Sequence, residues 1–326
     1  MNYKGNQNIK LIEEEDYPEE IVKIENILDS YCNRGSITGN NNCKICYRTV
    51  KTENAKATVI ILHGFTEFMQ KFDELSWYLL NRGFNVVAYD QRGHGTSGRE
   101  NNDLTVTHVN SFDDYIDDLS KIINEVAVPL SEGLPLYIFS HSMGGAVASL
   151  YLEQNSDKIE KAVLSSPMIM PITGNVPPDI VRMLTKINAK KDGWDGKFKY
   201  AKDTSFSTKI LTDPDISLNR FKKTLETHMS DKIYQNTCGS NRWIYEAIGA
   251  GKRLAKKSET SKISTKVLIL SAENDYVVKN SAEKKFSETL PDCRFVTIKH
   301  GRHSLFGCSA PILTEYYKNI FRFYEN

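Results

Sequence analysis

No stretch of the 326-residue chain approaches the roughly 18 consecutive apolar residues that a membrane-spanning helix needs. The N-terminal MNYKGNQNIKLIEEEDYPEE also lacks the apolar core of a secretory leader, so the expected location is cytoplasmic. Neither sign of charge is in excess, since 42 Lys and Arg face 41 Asp and Glu for a formal net charge of +1. That balance argues against the basic field of a nucleic-acid binder and against an acidic disordered tail. Repeats and low-complexity segments are absent. The six cysteines (Cys32, Cys43, Cys46, Cys238, Cys293, Cys308) are scattered through a long chain without a leader, which favours reduced thiols. Cys43 and Cys46 form a C-x-x-C, but no second such pair or His pair completes a tetrahedral site, and the segment reads as a strand.

What is present is a globular composition, 40% apolar and 25% charged. Its length suits one large α/β domain with insertions or two modest domains. Ile21, Ile24, Ile27 and Leu28 recur at helical spacing, and Gly35 to Asn42 reads as a polar turn, so residues 1–42 are expected to form a helical extension. From Cys43 onward, β-branched runs at 57–63, 85–90, 134–140 and 161–166 alternate with amphipathic stretches at 72–80, 112–126 and 144–152. The alternation stops at Pro167 and resumes with strands at 266–272 and 294–299 and helices at 281–290 and 311–324. Near-continuous apolar strands separated by helices indicate a mostly parallel sheet covered on both faces. The core is therefore 43–167 with 258–326, and 168–257 is a helical cap inserted between its strands.

Gly93-His94-Gly95-Thr96-Ser97-Gly98 satisfies G-x-G-x-x-G after a strand. A dinucleotide site also needs the turn to run straight into a helix facing the pyrophosphate. Here Arg99 to Asp103 is polar and aperiodic, and the next helix starts near Ser111, where Ser111 and Asp114 resemble a capping box. Nicotinamide and flavin are excluded on this reading.

The strand LPLYIFS ends in Ser140-His141-Ser142-Met143-Gly144-Gly145 and continues as a helix former. A strand, a tight turn and a helix hold a serine exposed at the C-terminal edge of a sheet, with small residues required two positions away on either side. Gly144 meets that need; Ser140 stands where glycine is usual. A serine nucleophile needs a base, and the base needs a carboxylate, expected in the order Ser, acid, His on loops after late strands. Glu273 and Asp275 follow one late strand and His300 and His303 the other. Asp275 is preferred because Val277 and Val278 would anchor its loop, and His303 because Leu305 and Phe306 would root its own. The oxyanion would take the backbone N–H of Met143 and that of Phe65 in Leu62-His63-Gly64-Phe65-Thr66-Glu67, with His63 holding the loop.

HGFTE, YDQRGHGTSG, SHSMGG, ENDYVV and GRHSLF together resemble the α/β-hydrolase serine esterases of the monoacylglycerol lipase and bacterial lysophospholipase group. THVNSFDDYIDDL and TIKHGRHSLF look most like the bacterial lysophospholipase branch. The resemblance covers roughly residues 43–326 and implies a capped hydrolase that cleaves esters of single-chain lipids, with Ser142 as nucleophile, Asp275 as acid, His303 as base, Phe65 and Met143 as oxyanion donors, and no cofactor or metal. Two departures stand out: Ser140 at the first elbow position and Ser304 where relatives often carry Glu. A short-chain carboxylesterase and a silent ligand-binding module on the same scaffold are the competing readings.

His108 and Asp113 match the H-x-x-x-x-D of glycerolipid acyltransferases, but Asp113 at a helix start needs no chemistry to explain it. Apolar cap residues such as Met168, Met183, Trp194, Phe206, Trp243 and Ile244 are candidates for an acyl pocket. The cap carries 17 Lys and Arg against 9 Asp and Glu, so a basic cap offsets an acidic body. This favours peripheral contact with an anionic membrane at its inner face, while nucleic acid stays excluded as a partner.

Overall fold

Alternate residues of the apolar runs bury themselves on opposite faces of one sheet. In chain order the strands are Asn33–Thr38 (β1), Lys44–Val50 (β2), Ala57–Leu62 (β3), Phe84–Tyr89 (β4), Val106–Thr107 (β5), Leu136–His141 (β6), Lys161–Ser165 (β7), Cys238–Gly239 (β8), Lys266–Ala272 (β9) and Cys293–Ile298 (β10). This computed structural model describes residues 2–5, 10–199 and 208–326. Eight strands make one sheet in the order β1-β2-β4-β3-β6-β7-β9-β10, and β5 pairs with β8 apart from it.

Ile60, Leu62, Ile138, Leu164 and Ile269 face helices Asp113–Lys121, Met143–Asn155, Asn241–Leu254 and Asn280–Ser287 in one core. Val59, Ile61, Phe139, Val163 and Leu270 face helices Tyr17–Tyr31, Asp73–Asn81 and Ala310–Glu325 in the other. Period-two alternation with both faces covered explains why these strands are apolar at most positions. Strands β4, β3, β6, β7, β9 and β10 run parallel, so their C-terminal ends open onto one edge. A parallel sheet gathers its ligand-binding loops at that edge.

The polar turn expected at 35–42 is corrected in part. Asn33–Thr38 is a strand that pairs antiparallel with β2, and only Asn40–Asn42 is a short 3-10 turn. An edge strand with one solvated face tolerates Asn, Arg, Ser and Thr, so its sequence does not announce a strand.

Between β7 and β9 the described residues hold helices Pro178–Asp192, Leu218–Ser230, Asn241–Leu254 and Lys257–Thr260, with the two-residue β8 among them. They do not form one uniform layer. Helix Asn241–Leu254 sinks Trp243, Ala247, Ala250 and Leu254 into the main core. Helix Pro178–Asp192 attaches through a small satellite cluster of Val181, Phe198 and Ile248. The candidate pocket residue Phe206 lies outside the described residues.

Candidate active site

Ser142 sits between β6 and the helix Met143–Asn155 with φ 51° and ψ −116°, a conformation that costs an L-residue free energy and persists only where its surroundings enforce it. They do so through backbone bonds: the Ser142 N–H donates to the Ser165 carbonyl at 3.0 Å, and the Ser142 carbonyl accepts from Met168 N at 2.8 Å. A Cβ on Gly144 would lie 2.6 Å from the His63 carbonyl oxygen and 2.7 Å from that of Leu62, which accounts for the glycine. Ser140 is accommodated in β6, where its hydroxyl donates to the Val163 carbonyl at 3.3 Å.

Residues from three loops converge on this serine. The Ser142 hydroxyl donates to His303 Nε2 at 2.9 Å, and His303 Nδ1–H donates to Asp275 Oδ2 at 2.7 Å. Asp275 Oδ1 accepts from the N–H groups of Val277 and Val278 at 2.8 and 3.0 Å, which fixes the carboxylate. Burial pushes the Asp275 carboxyl up, but the hydrogen bond and charge of His303 together with those two N–H groups outweigh it and hold it below its ordinary range. Burial lowers His303 below 6.5 despite the opposing pull of Asp275, so the ring is a neutral acceptor near pH 7.

The alternatives in each loop are occupied elsewhere. Glu273 Oε2 accepts from the His300 N–H at 2.9 Å, and His300 is exposed. Of the two valines expected to anchor the acid loop, Val278 is buried and Val277 is not. Leu305, two residues after His303, is fully buried.

Met143 opens its helix, where the first N–H groups lack intrahelical acceptors. The Phe65 loop lies against the serine: a Cβ on Gly64 would come within 3.0 Å of the Ser142 Cβ. His63 is fully buried, with Nδ1 2.7 Å from the Gly64 carbonyl oxygen and Nε2 accepting from Gln91 N at 2.9 Å, so it braces that loop. The Phe65 ring stacks on Trp243 with centroids 3.9 Å apart.

Sequence reasoning missed the brace beneath the site. Glu67 accepts from Gly64 N at 2.6 Å and from Lys71 Nζ at 2.7 Å, and its Oε2 lies 2.8 Å from His141 Nδ1. His141 Nε2 then donates to the His303 carbonyl at 3.2 Å. One buried carboxylate thus links the Phe65 loop to the His303 loop. Burial raises the Glu67 carboxyl, but His141 and Lys71 outweigh it and hold the group well below its usual range. The signal was available, since Glu67 and His141 both lie inside quoted motifs and are polar residues at the ends of buried segments.

Other sequence motifs resolve structurally. His108 Nδ1 lies 2.8 Å from the Ser240 hydroxyl, whereas Asp113 pairs with Arg253, so the H-x-x-x-x-D residues do not act together. Asp114 Oδ2 accepts from Ser111 N, as expected of a capping box, and Gly98 is followed by no helix before Asp113–Lys121. None of the six cysteines is joined in a disulfide.

The chain is similar to several known proteins. Lysophospholipase L2 of Escherichia coli (strain K12) is 30% identical over 258 residues, 77% of this chain and 73% of that protein. The probable lysophospholipase L2 of Haemophilus influenzae is 28% identical over 273 residues, 82% of this chain and 84% of that protein. A solved structure, a soluble variant of the monoglyceride lipase of Saccharomyces cerevisiae with a substrate analog, superposes with a TM-score of 0.68 at 20% identity, covering 88% of this chain and 92% of that one. The sequence model of the family described as serine aminopeptidase, S33, matches residues 53–307, and the chain belongs to that family of α/β-hydrolase fold.

Proposed function

We propose that Ser142, His303 and Asp275 form the catalytic triad of a serine hydrolase that cleaves carboxylic esters of single-chain lipids, a lysophospholipid or a monoacylglycerol. The chain is a carboxylic ester hydrolase, and the observation that carries the assignment of its site is the hydrogen-bonded run from Ser142 Oγ through the His303 ring to Asp275. In the first step Ser142 Oγ attacks the ester carbonyl while His303 Nε2 takes its proton. The N–H groups of Met143 and Phe65 stabilise the oxyanion. His303 then protonates the departing alkoxide, leaving an acyl-enzyme, and in the second step it deprotonates the water that releases the fatty acid. Asp275 holds the tautomer and offsets the imidazolium charge.

We place the core at residues 43–167 and 258–326, with β1 of the N-terminal extension added at its sheet edge, and the cap at 168–257. The cap is proposed to meet an anionic lipid surface from the cytoplasmic side. Support comes from one face of helix Pro178–Asp192, where Ile180, Met183 and Ile187 are 44%, 52% and 56% exposed and Lys186, Lys190 and Lys191 are exposed beside them. Ahead of that helix Ile172 is also exposed, and its N–H donates to the carbonyl of exposed Val277, which with exposed Tyr276 directly follows Asp275. An apolar face flanked by lysines suits an interface of anionic lipid. No helix of the described residues is long and apolar enough to cross a membrane.

The test is Ser142→Ala. Ester hydrolysis should fall by about 10⁴-fold or more, and labelling by a fluorophosphonate should vanish. Hydrolysis surviving in that variant would end the assignment, and a wild-type chain that neither hydrolyses esters nor labels would be a binding module.

A further inference from the structure

Arg302 precedes His303 and reaches out of the core to the segment that enters helix Leu218–Ser230. Its Nε donates to Asp213 Oδ2 at 2.8 Å, one Nη donates to Asp213 Oδ1 at 3.0 Å, and the same nitrogen is 3.0 Å from Asp215 Oδ2. Backbone bonds run beside this fork. Ser217 N donates to the Gly307 carbonyl at 3.0 Å, Ser309 N donates to the Asp215 carbonyl at 2.8 Å, and Ile216 bridges antiparallel to Cys308. Asp213 to Ser217 is therefore laid along the base loop like an added strand.

The far end of this segment is fixed to the body. Buried Arg220 donates to both oxygens of Glu74 at 2.7 and 2.9 Å, and Glu14 receives Ser217 Oγ and Asn219 N. The base loop is thus held from two sides, by His141 at the His303 carbonyl and by the Asp213 segment at the preceding residue. Arg302, Asp213 and Asp215 are each about a quarter exposed, and an ion pair so placed adds little stability. A planar two-point fork does constrain geometry, which a point charge cannot. Hydrogen bonding to Arg302 also lowers the Asp213 carboxyl, so the pair persists into mild acid.

We propose that Arg302 is a positioning residue for the hydrolysis: by clasping Asp213 and Asp215 it sets the His303 ring in line with Ser142, so that the base is in register only while this cap segment lies against its loop. The proposal rests on the triad reading above.

The experiment uses the full chain and a soluble p-nitrophenyl butyrate, so that lipid presentation plays no part. For Arg302→Gln, kcat should fall by about tenfold to a hundredfold, as for a slight misplacement of a reacting group, with KM within about twofold. Fluorophosphonate labelling should slow by the same factor, well below the melting midpoint of each variant. Asp213→Asn with Asp215→Asn should reproduce the loss, adding Arg302→Gln to that pair should cost nothing further, and Arg302→Lys should recover part of the rate. Wild-type kcat and labelling in Arg302→Gln, a change confined to KM, or losses that multiply in the triple variant would each overturn the proposal. Ester hydrolysis surviving in Ser142→Ala would instead remove the triad reading, and the proposal with it.

Discussion

Two helices of similar length, Met143–Asn155 and Pro178–Asp192, obey opposite rules. Every residue from Met143 to Leu152 is buried, whereas only Val181, Thr185 and Asn188 are buried in the second helix. The first is apolar all round because it threads the core, and its N-terminus is thereby held rigidly under Ser142. The second leaves Ile180, Met183 and Ile187 in solvent. Placement of a nucleophile demands enclosure; capture of a lipid from an interface demands an uncovered apolar face. The first helix meets the first demand, and the second is the one proposed to meet the other.

Beyond the loss expected for Ser142→Ala, that contrast breaks most severely at Gly144. Alanine at an ordinary helix glycine gains up to about 1 kcal/mol, but here its Cβ would press on two carbonyl oxygens. Gly144→Ala should instead cost about 1–3 kcal/mol, read as a lower melting midpoint together with reduced esterase rate. Unchanged melting and activity would show that the elbow is looser than the structure describes.

The outer helix should respond to the opposite change. Replacing Ile180, Met183 and Ile187 together by serine should weaken co-sedimentation with anionic vesicles by about tenfold or more, from the apolar area removed, and leave p-nitrophenyl butyrate hydrolysis unaltered. Vesicle binding equal to wild type would remove this face as the contact.

The smallest effect concerns enclosure itself. In the proposed mechanism the base must be neutral to accept the Ser142 proton, and burial lowers His303 below 6.5. Activity is therefore lost as pH falls through that lowered value, so the acid limb of kcat/KM should lie below pH 6.5. An acid limb above 6.5 would mean that the Asp275 charge outweighs burial.

Much of this architecture was legible. The strands read at 57–63, 161–166 and 266–272 correspond to Ala57–Leu62, Lys161–Ser165 and Lys266–Ala272, because buried parallel strands are apolar on both faces and stand out without periodicity. The convergence of Ser142, Asp275 and His303 was readable because a parallel sheet brings successive C-terminal loops to one edge. β1 was not, since Asn33–Thr38 is a polar edge strand whose pairing depends on β2. Nor did 168–257 announce its division. Trp243 and Met183 are both apolar residues of the segment proposed as a cap, yet Trp243 is buried against Phe65 and Met183 is exposed.

By itself the sequence determined the alternation of buried strands and helices, the glycine the elbow requires, and which residue types reach the sheet edge. Each follows from local sterics or from the side-chain period of a single element. Only the tertiary structure decided that Glu67 and His141 brace the His303 loop, that Arg302 clasps Asp213, and which helix of 168–257 stays uncovered. Those contacts join side chains far apart in the chain, and backbone pairing and packing, which no single segment encodes, set whether they meet.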